Sequence, residues 1–254
     1  MKIAGTKVLL TGASGGIGRA MAARLASADA QVVGVGRAAE PPEGLSLHQW
    51  VRGDLATPQG RAAVVEAAQR EGVSVVIHAA GVPAFGPLQA LSVADMEAVL
   101  QMNLLVPMAL AQALGPHLQR QPQARMVFIG SILGRIGVPG FSVYGASKSG
   151  LNGFAEALRR EWAETSVRVQ VLNPRSTRTP FNGAAVQRFN RDTGTASDAP
   201  ETVAEALMRL IESDAAQRNV GFPERLAVPL NALLGAGLDG SFSRHRRSLS
   251  VTTP

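Results

Sequence analysis

The chain contains no cysteine. Disulfides, thiol nucleophiles and thiolate metal sites are therefore excluded, no metal site is expected, and the absence fits a reducing compartment. Aromatic residues are scarce, at 4% of 254 residues, and Tyr144 is the only tyrosine. Valine, leucine, isoleucine and alanine must fill the core, which a hydrophobic content of 46% allows. Lysine is nearly missing. Lys2, Lys7 and Lys148 are the only three, so arginine carries the net charge of +6. The arginines are scattered apart from Arg244, Arg246 and Arg247. No zinc-finger or base-stacking motif accompanies them, which argues against a nucleic-acid partner. No uninterrupted apolar run approaches the roughly 20 residues that span a bilayer. A glycine turn follows Met1 so closely that no room is left for a signal peptide, and a cytoplasmic location is expected.

That turn organises the chain. The apolar run Val8–Leu10 leads into Thr11-Gly12-Ala13-Ser14-Gly15-Gly16-Ile17-Gly18, and an amphipathic helix follows. Gly12, Gly16 and Gly18 are spaced G-x-x-x-G-x-G, not the G-x-G-x-x-G of the standard dinucleotide fingerprint. Glycines here permit a tight turn, close approach of a phosphate to backbone, and close helix-on-strand packing. The unpaired N–H groups and partial positive charge of a helix start suit a pyrophosphate. Alone, such a turn is a weak signal, because glycine-rich strand-to-helix turns are common.

Strands are predicted at Lys7–Leu10, Gln31–Val35, Leu47–Val51, Val73–Ile77, Met126–Ile129, Val167–Leu172 and Val220–Phe222. Helices are predicted at Gly16–Ser27, at Pro58–Arg70 capped by Thr57, and at Val93–Leu105 capped by Ser92. Pro107 interrupts or kinks the last of these, and a further helix runs to Arg120. Others cover Val143–Glu164 and Pro200–Ser213. Thr177–Ala199 is polar and weakly periodic and reads as a mobile loop with short helical pieces. Strands alternating with helices imply an α/β chain with a doubly wound parallel sheet. Ligands bind such sheets beyond the carboxyl ends of the strands. This selects Gly12–Gly18, Arg37, Asp54, Ala79–Gly81, Ser131 and Asn173–Thr179. The expected organisation is one dinucleotide-binding and catalytic domain over 1–225, then an apolar segment and basic tail over 226–254. Ser248–Pro254 is expected to be disordered.

Tyr144 and Lys148 stand four apart at the start of the long helix, on one face. A free phenol has a pKa near ~10, and an adjacent ammonium favours phenolate. Lowering it by ~3 units takes about 4 kcal/mol of differential interaction. Ser131 ends the preceding strand, where its hydroxyl can reach a substrate oxygen. Each feature has a bland alternative: a surface pair, a helix cap, a plain turn. Occurring together, in order, at the mouth of one sheet, they point to a site.

In these motifs the chain resembles the short-chain dehydrogenase/reductase family, over about Lys7 to Phe222. Thr11–Gly18 matches the family's T-G-x-x-x-G-x-G, Tyr144-x-x-x-Lys148 its catalytic pair, and Ser131 and Asn103 the other members of its tetrad. The resemblance implies a Rossmann-like doubly wound parallel sheet with helices on both faces, in three α/β/α layers. It implies hydride transfer between a nicotinamide and an alcohol/carbonyl pair. Tyr144 then acts as acid/base and Ser131 steadies the oxygen. Lys148 holds the nicotinamide ribose and lowers the tyrosine pKa, while Asn103 positions a relay water. Cofactor contacts are implied for Gly12, Ser14, Gly16, Ile17, Gly18, Asp54, Leu55, Ala80, Gly81, Tyr144, Lys148, Pro174, Thr177 and Thr179. A homodimer or homotetramer is implied as well, with Leu151, Phe154, Leu158 and Trp162 forming either its apolar face or part of the monomer core.

NAD-preferring relatives usually carry an acid at the end of the second strand; here Gly36 stands there, followed by Arg37. A guanidinium suits a 2′-phosphate, so NADP is expected over NAD. Two motifs depart from the family. N-A-G reads Ala79-Ala80-Gly81, which is expected to loosen the strand ends. P-G reads Pro174-Arg175, with Arg175 pairing with loop acids or with an acidic substrate group. These departures leave an alternative, a non-catalytic NADP-binding regulatory or scaffold protein. Ile132, Leu133, Ile136, Phe141, Phe181 and Phe189 are expected to line an apolar pocket for a small apolar carbonyl or alcohol. The segment Leu226–Leu238 is expected to pack over the substrate side of its own or a neighbouring subunit. With the arginines that follow, a peripheral membrane contact is the alternative.

Overall fold

Runs such as Val75-Val76-Ile77 have no polar face, and they become strands buried on both sides. The computed structural model describes residues 1–251. Among these, seven strands form one parallel sheet: β1 (Lys7–Thr11), β2 (Gln31–Gly36), β3 (Gln49–Arg52), β4 (Val75–His78), β5 (Ala124–Ile129), β6 (Val167–Asn173) and β7 (Gln217–Asn219). Their spatial order is β3-β2-β1-β4-β5-β6-β7, so the winding reverses between β1 and β4 and opens a crevice there.

Helices cover both faces. On one side α2 (Pro58–Glu71), α4 (Val106–Gln119) and α5 (Ser142–Glu161) bury Val64, Leu110, Leu114 and Leu151 against Leu9, Val76 and Phe128. On the other, α1 (Gly16–Ala26) and α7 (Pro200–Ser213) bury Met21, Leu25, Leu207 and Ile211 against Leu10, Ile77 and Val127. These are the three layers expected. Thr57 caps α2 by accepting the Gly60 N–H at 3.0 Å, and Ser92 forms a capping box with Asp95 on α3 (Val93–Leu100). Leu151 and Leu158 are buried in the monomer core, and Phe154 and Trp162 pack against it half-buried.

The structure departs from the expectations in four places. Pro107 does not break its helix. It lies in the first turn of α4, directly after a π-helical turn whose wider hydrogen-bond register accommodates a residue without an N–H. A π-helical turn, Gln101–Leu105, joins α3 to α4 in one rod. Among the described residues this rod, Val93–Gln119, is the one helix long and apolar enough to cross a membrane; Leu110, Leu114 and Leu118 bury it in the core. The loop expected over 177–199 contains the ordered α6 (Ala184–Thr193), anchored by buried Val186 and Phe189 and ended by Gly194 at φ +73°. The last strand ends at Asn219, not Phe222, because Gly221 turns the chain at φ +105° and leaves Phe222 exposed.

The fourth departure is the tail. α8 (Glu224–Leu234) and α9 (Ser243–Val251) follow β7. Ser248 is buried and donates to Asp192 Oδ2 at 3.0 Å, docking α9 on α6. Helix therefore replaces the expected disorder over 248–251; residues 252–254 lie outside the described residues.

Candidate active site

The glycine turn and the ends of β4 and β6 meet at the crevice. Gly12 has φ +68°, and a Cβ there would stand 2.8 Å from the Ala80 backbone. Only glycine permits both. A Cβ on Gly16 would meet the Thr179 side chain at 2.5 Å, and one on Gly18 would meet the Gly12 carbonyl oxygen at 2.0 Å. Where the family's asparagine is missing, a threonine ties the strand ends. Thr11 Oγ1 accepts from the amides of both Ala79 and Ala80 at 3.1 Å. At the start of α1, Gly15 offers no capping side chain and the first turn holds no acid. Its amides and the positive end of the helix are thus available to an anion, which fits a dinucleotide pyrophosphate.

The other expected cofactor residues flank this point. Ser14 lies beside Gly36, and Ile17 packs on the α1 side of the core. Arg37 is exposed just beyond β2. Asp54 is exposed and accepts from the Ala56 amide at 3.0 Å, while Leu55 is buried. Pro174 and Thr177 are buried after β6; the Pro174 carbonyl accepts from the Ile132 amide at 2.9 Å. Gly81 faces the polar cluster: a Cβ there would lie 3.0 Å from Asn103 Oδ1 and 3.8 Å from Lys148 Nζ.

Helix α5 carries Tyr144 and Lys148, with the Lys148 Nζ 5.9 Å from the tyrosine ring centre. Lys148 is buried and donates to the Ile129 carbonyl at 2.8 Å. Burial lowers its pKa to about 8. Burial raises the Tyr144 phenol to about 12, against a smaller lowering by a hydrogen bond with Ser131. In the free protein burial, set against the Ser131 hydrogen bond, sets the phenol, while the Lys148 ammonium is bonded to β5.

Asn103 lies in the π-helical turn and is fully buried. Its Oδ1 accepts from the Val82 amide at 2.8 Å; its Nδ2 donates to the Val82 carbonyl at 3.0 Å and to Ser147 Oγ at 3.2 Å. Ser147 in turn donates to the Tyr144 carbonyl at 2.7 Å. The carboxamide thus clasps the segment after β4 onto α5. Sequence reasoning missed a second clasp. Asn173 Oδ1 accepts from the Ser131 amide at 3.1 Å, its Nδ2 donates to Asn152 Oδ1 at 3.2 Å, and Asn152 Nδ2 donates to the Lys148 carbonyl at 2.8 Å. Asn152 stands four residues after Lys148 on the same helix face, and that spacing was the available signal.

Arg175 is bound within the protein. It pairs with Asp198 through two hydrogen bonds of 3.0 and 2.7 Å, and with Glu224 and the Phe222 carbonyl at 3.0 Å each. The pairing with loop acids is therefore realised.

A cavity of about 560 Å³ borders the loop after Ser131, lined by Leu133, Ile136 and Phe141 together with Arg135, Phe242 and Arg246. The other three expected lining residues do not border it. Ile132 is buried. Phe189 joins an aromatic cluster with Phe85, Phe141 and His245, and Phe181 stands edge-on to Tyr144, ring centres 6.0 Å apart. Helix α9, beyond the segment Leu226–Leu238 expected to cover the substrate side, reaches this cluster through His245 and docks on α6. Helix α8 leaves Leu226, Leu230, Leu233 and Leu234 exposed.

A family model for short chain dehydrogenase matches residues 6–189. "Nodulation protein G" of Rhizobium sp. (strain N33) is 34% identical over 181 residues, 68% of this chain and 74% of that protein. The "3-oxoacyl-[acyl-carrier-protein] reductase MabA" of Mycobacterium tuberculosis (strain ATCC 25618 / H37Rv) is 29% identical over 231 residues, 91% of this chain and 93% of that one. A solved structure from Beutenbergia cavernae with NADP bound at low occupancy is 29% identical with a TM-score of 0.75, covering 85% of this chain and 96% of its own. A short-chain dehydrogenase structure from Burkholderia cenocepacia J2315 shares the fold at 22% identity, with a TM-score of 0.83 over 96% and 99% of the chains. The chain belongs to the short-chain dehydrogenase family of oxidoreductases.

Proposed function

We propose that the protein is a cytoplasmic, NADP-dependent oxidoreductase that interconverts an apolar alcohol and its carbonyl compound. The observation carrying this reading is the single polar cluster of Ser131, Tyr144, Lys148 and Asn103 beside Gly81, at the open end of the crevice. A bound nicotinamide supplies the hydride donor or acceptor. The phenol of Tyr144, protonated at neutral pH, donates its proton to the carbonyl oxygen as charge develops there; oxidation reverses this transfer. Ser131 donates a hydrogen bond to the same oxygen. Lys148 offers an ammonium to the ribose hydroxyls, and Asn103 holds the segment carrying Gly81 against α5. The apolar side chains near the site suit an apolar carbonyl, the kind named in the 3-oxoacyl reductase relative. The departures that favoured a non-catalytic protein are accounted for structurally, by the Thr11 tie and the Arg175 ion pairs.

The cofactor preference rests on Arg37. Titration with NADPH and NADH is expected to show tight NADPH binding that weakens about tenfold or more in Arg37→Ala, the worth of a charge-assisted hydrogen bond, with NADH unaffected. Equal or better NADH binding by the wild type overturns the NADP assignment.

For assembly, a homodimer or homotetramer is proposed, supported by exposed Val93, Leu100 and Leu105 on the α3 rod. A lipid contact of the α8 leucines near the arginines of α9 is proposed with it. Light scattering is expected to give a multiple of the 26.5 kDa chain mass. Vesicles with anionic lipid are expected to carry the protein on flotation at low salt. A 26.5 kDa particle rules out the first proposal, and an empty vesicle fraction the second.

A further inference from the structure

The carboxyl end of β2 reads Val35-Gly36-Arg37, and Gly36 is covered. A Cβ there would stand 2.4 and 2.7 Å from two ring carbons of Trp50. Any side chain at 36 therefore requires the indole to leave. The indole is not the loose end of a flexible chain. Its backbone is paired in β3 opposite Gly34. The ring packs with Leu45 and Leu47 against the core on the α1 side. Its Nε1 donates to the Ala38 carbonyl at 3.0 Å. Trp50 thus grips the chain on both sides of Arg37: the ring lies on the residue before it, and the N–H holds the residue after it. Arg37 itself is exposed.

We infer that Trp50 is a specificity-determining positioning residue. It occupies the room that an acid at position 36 needs, and it holds the Gly36–Ala38 segment so that the Arg37 guanidinium is presented beyond the sheet. An acid at the end of the second strand serves the two ribose hydroxyls of NAD and repels a 2′-phosphate. By barring that acid, the indole closes the NAD solution sterically. By fixing the backbone around Arg37, it lowers the cost of ordering the loop when a phosphate binds. This inference rests on the NADP reading above.

The test is a double-mutant cycle read by calorimetric binding of NADP⁺ and NAD⁺, without turnover. Trp50→Ala is expected to weaken NADP⁺ binding about tenfold, through loss of one hydrogen bond and its packing, with NAD⁺ changed less than about twofold. Gly36→Asp alone is expected to lose NADP⁺ and gain no NAD⁺ affinity, because the ring blocks the carboxylate. The double variant is expected to bind NAD⁺ at least about tenfold better than Gly36→Asp. Trp50→Phe keeps a ring and loses the N–H. It also loses the Cζ2 and Cη2 carbons that meet position 36, so in the Gly36→Asp background it is expected to admit NAD⁺ as the Trp50→Ala double variant does, and it carries the test if the alanine variant fails to fold. With Trp162→Phe, Trp50 is the only indole left, and its emission is expected to change saturably with NADP⁺. Gly36→Asp binding NAD⁺ as well as the double variant overturns the inference, as does unchanged NADP⁺ binding in Trp50→Ala. A wild type that prefers NAD⁺ instead overturns the NADP reading, and the specificity role falls with it. The wild-type titration therefore separates the two failures.

Discussion

Tyr144→Phe is expected to lower turnover of a carbonyl substrate about 10³-fold, within the range that a positioned acid/base contributes, while NADPH affinity stays within about twofold. The substitution removes one hydroxyl from a half-buried ring and leaves the packing on Phe181 in place. Neither the glycine turn nor the ribose-side Lys148 is touched, so a binding titration reads an intact cofactor cleft. The raised phenol pKa of about 12 sets the pH behaviour. Reduction needs the protonated phenol, so its rate is expected to stay flat from pH 6 to about 9 and to fall only as the phenol ionises. Oxidation needs the phenolate and is expected to rise with pH over the same range. A Phe variant that turns over within about tenfold of wild type would falsify the assignment of Tyr144 as the proton donor, and the non-catalytic reading would replace it.

Lys148→Met is expected to inactivate the protein and stabilise it at once. Activity should fall about 10²-fold or more with loss of the cation that holds the nicotinamide ribose. Stability moves the other way because the ammonium is buried. Its folded pKa of about 8 lies below the ordinary lysine value of 10.5. Below pH 8 both folded and unfolded states hold the proton, and burying the charge costs about 3 kcal/mol. Between pH 8 and 10 the unfolded state binds more protons, so wild-type stability rises with pH through that window. The methionine variant has no such rise. It loses the charge-assisted hydrogen bond to the Ile129 carbonyl, worth about 2 kcal/mol, and should be about 1 kcal/mol more stable at pH 7. Urea midpoints of both proteins at pH 7 and pH 10 check this. A variant less stable at pH 7, or two parallel pH profiles, would show that the charge is not destabilising where it sits.

The fold was legible because its signals are local. Both-faces-buried strands read as continuous apolar runs, Thr57 and Ser92 announce their helices, and the glycines mark a turn where backbone must approach backbone. Order in the sequence also placed Ser131, Tyr144 and Lys148 at one edge of the sheet. The errors arose where long-range packing overrode composition. Within the polar stretch 177–199, Ala184–Thr193 becomes helical because Phe189 finds partners in the aromatic cluster beside α9 and Val186 is buried. Pro107 sits in a helix because the wider register of the π-helical turn before it accommodates a residue without an N–H.

The sequence by itself determined the strand order of chemistry along the chain: a glycine turn after β1, no acid after β2, a serine after β5, a tyrosine–lysine pair on the next helix. Those are properties of spacing and residue type. Only the tertiary structure decided what each group does to its neighbours. Burial, set against the Ser131 hydrogen bond, governs the Tyr144 phenol. Asp198 and Glu224, 23 and 49 residues away, claim Arg175. Trp50, from the adjoining strand, closes the space over Gly36. Desolvation and steric exclusion depend on what the rest of the chain brings alongside, and no local pattern encodes that.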